Sequence, residues 1–471
     1  MKPRSLILPI IGAGLSVGCA SPFDERWDNP VYRSLQTKYT QHDQQPNPAE
    51  TQTNPITKDL ETQSSLEIND AIRIAIENHP KLRAAGYRID AATGIVLQSG
   101  LHPNPSLNME SEALGSNAGR GGETAFTIEQ QILLGNQLNN AKDVARSDKL
   151  STQIEFEALE FAIATQVSNA YFSVLSAQQR LERNQELVAL STQLLDSVNA
   201  RFDAGSATET DRLRAEVVYE QALLSLDATR FQLDAANQSL ASALGTDSKI
   251  DTPLITEIDQ LPVLPTHNQL IASTLEANSK VSLAKLAIER AKQSHKLAKS
   301  QSSPDLFVSV GPRYSDIDNE TTVDLGLSLE IPLFDRNQGE TQATLSQRLS
   351  ASAQLREVQL ELLAEVSNAW SNYQSSLSAA NRYRDQLIPK SERTLELTKL
   401  AYESGKTDFL RLLDAQQVLI ESRLSYLTTL EQLHHSAALL NELSQSSPHW
   451  RNPTPTPQIQ STDHTQTEAS R

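Results

Sequence analysis

The sequence predicts a mainly α-helical chain with a small β part, built from two copies of one plan. Three observations carry this prediction. The 471 residues repeat one pattern at an interval of about 200 residues, too long for a solenoid period. Ala, Leu, Gln, Ser and Glu dominate the middle of the chain while aromatics make up 5%, the composition of long helices. Between the helical stretches lie short segments in which apolar and polar residues alternate, the period of a strand.

The duplication is legible in register. Arg201-Phe202-Asp203-Ala204-Gly205 aligns with Ala401-Tyr402-Glu403-Ser404-Gly405, and Leu213-Arg214-Ala215-Glu216 with Leu413-Asp414-Ala415-Gln416. Glu129 answers Glu330, Asn136-Gln137 answers Asn337-Gln338, Pro105 answers Pro304 and Asn78 answers Asn278. The copies are read as residues 66–250 and 251–445.

Before them comes a leader. Lys2 and Arg4 precede an apolar run over 6–17 and then Gly18-Cys19, which reads as a secretory signal over 1–18. The run is too short to span a bilayer, and Pro9 interrupts it. Cys19 is the only cysteine, so a disulfide framework and a thiolate metal cage are excluded. A small residue before a lone Cys resembles a bacterial lipoprotein cleavage site, which makes Cys19 the expected lipidation site. An ordinary signal that happens to contain Cys is the alternative. Ala20 stands where an Asp would imply retention at the inner membrane, so the resemblance implies outer-membrane delivery. Residues 19–65 and 446–471 are polar and lack an apolar period; they read as a tether and a disordered tail.

Each copy opens with two helices, at 68–78 and 81–98, then at 267–278 and 280–299. Prolines stop both pairs: Pro103 and Pro105 in the first copy, Pro304 in the second. A hairpin follows, with strands at 107–113 and 124–132, then at 306–314 and 323–331. Over 323–331 the apolar residues fall on every second position. Such a two-faced strand suits a half-buried soluble sheet or a transmembrane strand, apolar to lipid and polar to a water-filled lumen. Nothing apolar lies nearby for a soluble sheet to pack on, which favours the membrane.

After each hairpin comes a long helix. Residues 136–204 hold neither Pro nor Gly and predict roughly 100 Å of helix at about 1.5 Å per residue. Leu187, Leu190, Leu194 and Val198 supply a coiled-coil seam. Residues 340–404 are read as an equally continuous counterpart. Gly205 and Gly405 are placed to reverse the chain in the left-handed conformation. Returning helices then run over 208–244 and 407–444, with Asp211 and Asp408 in their first turns, where a carboxylate suits the helix dipole. One long helix beside two shorter ones, with a hairpin at one end and a Gly turn at the other, predicts a long hollow staff.

The formal charge of −17 becomes −19 if the leader, with Lys2 and Arg4 and no acids, is removed. That balance argues against nucleic acid as a partner.

This plan resembles the TolC-like outer-membrane efflux proteins across residues 66–445. Ile331-Pro332-Leu333-Phe334-Asp335-Arg336-Asn337-Gln338-Gly339 is similar to a signature of the cobalt–zinc–cadmium (CzcC-like) branch. Its first-copy counterparts are Pro103-Asn104-Pro105-Ser106-Leu107 and Glu129-Gln130-Gln131-Ile132-Leu133-Leu134-Gly135. The resemblance implies a homotrimer whose protomers each give four strands to a twelve-stranded barrel in outer-membrane lipid and long helices to a periplasmic α-barrel. It implies a periplasmic adaptor at the Gly205 and Gly405 turns, itself bound to an inner-membrane pump of the resistance-nodulation-division type. It also implies passive conduction with no bond made or broken. In the family the second tip narrows the pore; Asp414 matches an acidic ring position and Tyr402 a residue that locks the closed state through hydrogen bonds. Arg411 stands where a second acid is found in the family, so a double ring is not expected. The repeat partners are Arg214 for Asp414 and Phe202 for Tyr402, which suggests that the second tip does the gating.

The expected cargo is divalent heavy-metal cations, with organic compounds as the alternative. A lipid-anchored periplasmic adaptor is the alternative of another class, although it would show one helical hairpin and no set of four amphipathic strands. His434-His435 are adjacent and point to different helix faces, so they read as a polar surface. Gly119-Arg120-Gly121-Gly122 lacks the Lys-Ser/Thr of a phosphate loop and reads as a hairpin turn. No enzyme motif is found, and neither a cofactor nor a metal site is expected.

Overall fold

The computed structural model describes residues 65–112, 122–247, 250, 252–316 and 318–445. The expected leader with Cys19, the tether, the tail and Gly119-Arg120-Gly121 lie outside these residues. Helices α1 (Ile68–Asn78) and α2 (Pro80–Ser99) lead into strands β1 (Ser106–Glu112) and β2 (Glu123–Ile132). Helix α3 (Gln137–Asp203) runs 67 residues without a break and returns as α4 (Glu209–Leu244). The second copy repeats the order: α5 (His267–Ala277), α6 (Ser279–Ser300), β3 (Leu306–Ser315) and β4 (Glu320–Leu329), then α7 (Gln338–Arg382), α8 (Ile388–Glu403) and α9 (Phe409–Ser444). Helices α2 and α4 pack along α3, as α6 and α9 pack along α7; the copies join where α3 meets α6 and α9.

The second long helix is not continuous. Between α7 and α8 lies a π turn, Tyr383–Leu387, just ahead of Pro389. Proline lacks the N–H for an i→i−4 bond and its ring crowds the carbonyl four residues earlier, so the helix widens by one residue before it resumes. Strand β4 also departs from the expected 323–331. Its last pair is Leu329 with Leu306, where β3 begins, so Ile331 and Pro332 fall beyond the ladder.

The four strands form one antiparallel sheet in chain order, β1-β2-β3-β4. Among the described residues β1 and β4 each pair on one side only. Leu107, Met109, Phe126, Ile128, Val310, Val323, Leu325 and Leu327 are exposed together on one face. The register places Met109 opposite Phe126, Ile128 opposite Val310 and Val310 opposite Leu325. On the other face Arg313 pairs with Glu123 at 3.1 Å and Asp324 at 2.6 Å. Gly311 is required there: a Cβ would lie 1.7 Å from the Phe126 carbonyl oxygen.

The signature residues of the repeat make the junction from sheet to helix. Asn136 (φ 65) and Asn337 (φ 55) both adopt the left-handed conformation as helices α3 and α7 begin, one that Asn tolerates better than most residues. Asn337 Nδ2 donates to the Ala298 carbonyl at 2.9 Å. Asp305 accepts from Gln131 and Gln137, each at 2.9 Å, and so pins the end of β2 to the start of α3.

The main core lies midway along the helices, where Val167 and Tyr171 of α3 meet Leu240 of α4, Leu362 of α7 and Leu430 and Leu433 of α9. Burying each such Leu contributes about 1.5–3 kcal/mol. The connection between the copies crosses this core and is fastened by side chains from three helices. The Tyr171 hydroxyl donates to the Leu66 carbonyl (2.8 Å) and meets Thr256 Oγ1 (2.9 Å). Tyr373 donates to the Pro262 carbonyl (2.7 Å), and His434 Nε2 lies 2.9 Å from the Ile258 carbonyl oxygen. His434 is therefore not part of a polar surface. It is 6% exposed, with its ring stacked 3.7 Å from that of Phe172. The adjacency of the two histidines hides this, because α9 is covered on more than one side.

Candidate functional site at the helical tip

Both helix-to-helix reversals use one geometry. Gly205 and Gly405 each have φ +72°, a conformation that glycine adopts without steric cost. Ser206 N–H donates to the Arg201 carbonyl and Gly205 N–H to that of Phe202; Lys406 and Gly405 repeat this on Ala401 and Tyr402. These are the paired bonds of a Schellman motif, which satisfy carbonyls left free at the helix end. Each return is capped: Thr208 and Asp211 form a reciprocal capping box, and Asp408 accepts from Arg411 N–H at 3.0 Å. The hydrogen bond from the Thr208 side chain holds the Asp211 carboxyl below its ordinary range.

The turns fix the last helical residues, and these include Tyr402. Its ring is 9% exposed and packs with Leu194 and Val198 of α3, Ala215 of α4, and Phe409 and Leu412 of α9. The Phe409 ring lies 6.2 Å away. The Arg201 guanidinium sits over the Tyr402 ring, 4.7 Å from its centre. Phe202, the repeat counterpart, is covered by Arg212 at 5.3 Å. The contacts of Tyr402 are thus apolar, aromatic and cation–π.

Arg411 and Asp414 sit elsewhere. Both are exposed on α9 and line a groove of about 920 Å³ between α4 and α9, with Val218, Gln221 and Gln417. The structure brings Tyr402 to the joint between the two helical hairpins and leaves Asp414 on the open groove. Leu194 and Val198 of the predicted seam form the floor under Tyr402, whereas Leu187 lines the groove.

Two residues escaped the sequence reading. Arg201 was readable as an asymmetry, because its repeat partner is Ala401. Arg423 of α9 forks between Glu186 of α3 (3.3 Å) and Glu392 of α8 (2.7 Å), and no spacing rule signals that contact.

Among the described residues no group of three or more His, Cys, Asp or Glu side chains is placed to hold a metal ion. No described helix is long and apolar enough to cross a membrane. Strands β1–β4 expose an apolar face that carries Leu107, Met109, Phe126, Ile128, Val323, Leu325 and Leu327.

Comparison with known proteins agrees with this architecture. A family model described as outer membrane efflux protein matches residues 71–246 and 270–444. The chain is 25% identical over 385 residues to the cobalt-zinc-cadmium resistance protein CzcC of Cupriavidus metallidurans, covering 81% of this chain and 91% of that protein. It is 23% identical over 402 residues to the cation efflux system protein CusC of Escherichia coli, covering 80% and 85%. The solved outer membrane protein VceC of Vibrio cholerae superposes with a TM-score of 0.68 at 18% identity, over 81% of this chain and 96% of that one.

Proposed function

Since the chain belongs to the outer membrane efflux protein family, and is therefore an outer-membrane efflux channel and not an enzyme, we propose that it works as a homotrimer that conducts divalent heavy-metal cations out of a Gram-negative cell. One observation carries the trimeric channel. The sheet has an exposed apolar face, a charged face opposite it and, among the described residues, two edges without a partner. In a bilayer an unpaired edge is not tolerated. Three copies, β4 of each against β1 of the next, close twelve strands around a polar lumen. The long helices continue that lumen as the periplasmic tunnel.

The cargo reading draws on the relatives, whose names describe cobalt-zinc-cadmium resistance and cation efflux. Acidic side chains on the lumen-facing positions favour cations: Glu110, Glu123, Glu129 and Asp324 share that face with Arg313. An anionic lining attracts cations and repels anions. Selection among cations falls to a pump and a periplasmic adaptor in this reading, with the Gly205 and Gly405 turns as the adaptor's docking points. Cys19 carries the lipid that anchors each protomer. Tyr402 holds the gate, and Asp414 gives one acidic ring beside Arg411.

A deletion strain tests the cargo. Loss of resistance to zinc, cobalt, cadmium or nickel, restored by the intact gene, is the expected result. Unchanged metal tolerance with lost resistance to organic compounds would transfer the function to drug export.

A further inference from the structure

We propose that Arg201 is the latch of the tip: its guanidinium, stacked on the Tyr402 ring, ties the first helical hairpin to the second and keeps the pore narrow. The inference deepens the channel reading and rests on it.

The geometry makes this contact different from everything around it. The Arg201 and Tyr402 backbones are both fixed by Schellman turns, because the carbonyl of each accepts from its own turn. The stacking at 4.7 Å therefore joins two rigid hairpin ends and is not one rotamer of a loose side chain. Beneath it lie Leu194, Val198, Phe409 and Leu412, which keep water from one side of the ring and strengthen a cation–π pair. The repeat does not return the contact. Phe202 is covered by Arg212 of its own hairpin, and Ala401 stands where Arg201 has its counterpart. Of the repeat pair Phe202 and Tyr402, it is Tyr402 whose ring is stacked by an arginine of the other copy. Further from the tip, α3 and α9 are joined by polar links: Arg180 to Thr428 at 2.9 Å and Arg423 to Glu186 at 3.3 Å. Partly exposed pairs of this kind contribute little and exchange readily with water. A movement of the second hairpin away from the first at the tip slides past them, but must part Leu194 and Val198 from Phe409 and Leu412 and lift the ring off the guanidinium.

The attraction uses the face of the ring and not its hydroxyl. A latch made by a Tyr402 hydrogen bond and a latch made by Arg201 therefore predict opposite results for Tyr402→Phe. The test is single-channel recording of the full-length protein in planar bilayers. We expect Tyr402→Phe to match the parent, while Arg201→Ala and Tyr402→Leu each raise open probability about two- to fivefold. The double variant should open no further than either single one. Opening by Tyr402→Phe as large as by Tyr402→Leu overturns the latch, as does an Arg201→Ala channel that behaves like the parent. A parent and variants that never conduct would instead sink the channel reading on which the latch rests. Arg201→Ala replaces a side chain above the apolar floor and leaves that floor intact, so the comparison survives if Tyr402→Leu fails to assemble.

Discussion

Tyr171→Phe removes one oxygen atom from the middle of the molecule and should be felt throughout it. Tyr171 is fully buried. Its hydroxyl contacts the Leu66 carbonyl at 2.8 Å, Thr256 Oγ1 at 2.9 Å and Thr256 N–H at 3.3 Å. Burial outweighs these bonds and raises the pKa of the phenol above 10.0, so it stays neutral and donates at physiological pH. Deleting it leaves the Leu66 carbonyl with only the longer 3.4 Å bond from Ile255 N–H and takes the acceptor from the half-buried Thr256 N–H, which costs about 1–3 kcal/mol. Tyr373→Phe is the internal control, since it loses a single bond, to Pro262 at 2.7 Å, for about 1 kcal/mol. The assay is the rate of unfolding in denaturant, followed by helical circular dichroism of the detergent-extracted protein; a rate suits a protein that does not refold readily. The expected acceleration is about 5- to 150-fold for Tyr171→Phe and about fivefold for Tyr373→Phe, if both bonds are already broken in the transition state. A Tyr171→Phe rate within about twofold of the parent would refute the view that the inter-copy connection is held by these bonds.

Leu325 is 81% exposed on the apolar face of β4. Leu325→Arg should cost about 2–4 kcal/mol at mid-membrane and deplete assembled protein from the outer-membrane fraction, whereas Ser328→Arg on the opposite face should not; equal depletion would argue against a lipid-facing surface. At Gly405, where nothing lies within 4 Å of a built Cβ, the penalty is conformational alone. Gly405→Asn should be tolerated and Gly405→Val should cost about 1–2 kcal/mol, read as about 5- to 30-fold faster proteolytic nicking at the tip; a Val variant nicked no faster than the Asn variant would contradict this. Burial, helped by the charge of His435, lowers the His434 pKa below 6.5. The unfolded chain then takes up the proton first as pH falls, so stability is full above about 6.5 and declines below it. The thermal midpoint should drop more between about pH 7.5 and pH 5 in the parent than in His434→Gln; equal drops would show that His434 does not contribute.

Period and punctuation made most of the fold readable. Gly205 and Gly405 mark their turns because a left-handed residue must follow each helix, and the alternation at Val323, Leu325 and Leu327 marks a two-faced strand. Asn136 and Asn337 were visible as a repeated pair, while their purpose, two left-handed residues at the sheet-to-helix junction, needed coordinates. The π turn escaped because Pro389 was submerged in a long helical pattern; a single proline costs less than the flanking helix supplies, so it widens the helix without ending it. His434 escaped because burial is decided by neighbouring helices and not by the two residues beside it. The tip divided similarly. Tyr402 was singled out by its match to a tip residue of the family that the chain resembles, but its partner Arg201 belongs to the other copy, and contact between copies leaves no local periodicity.

The central claim is that this chain closes a conducting pore with two further copies of itself. Reconstituting the purified full-length protein into planar bilayers, with its mass in detergent measured in parallel, tests that claim most directly. The account predicts a trimer whose insertion gives discrete current steps, with reversal potentials that favour cations over anions. A water-soluble monomer, or a trimer whose insertion never yields a current step, would contradict it.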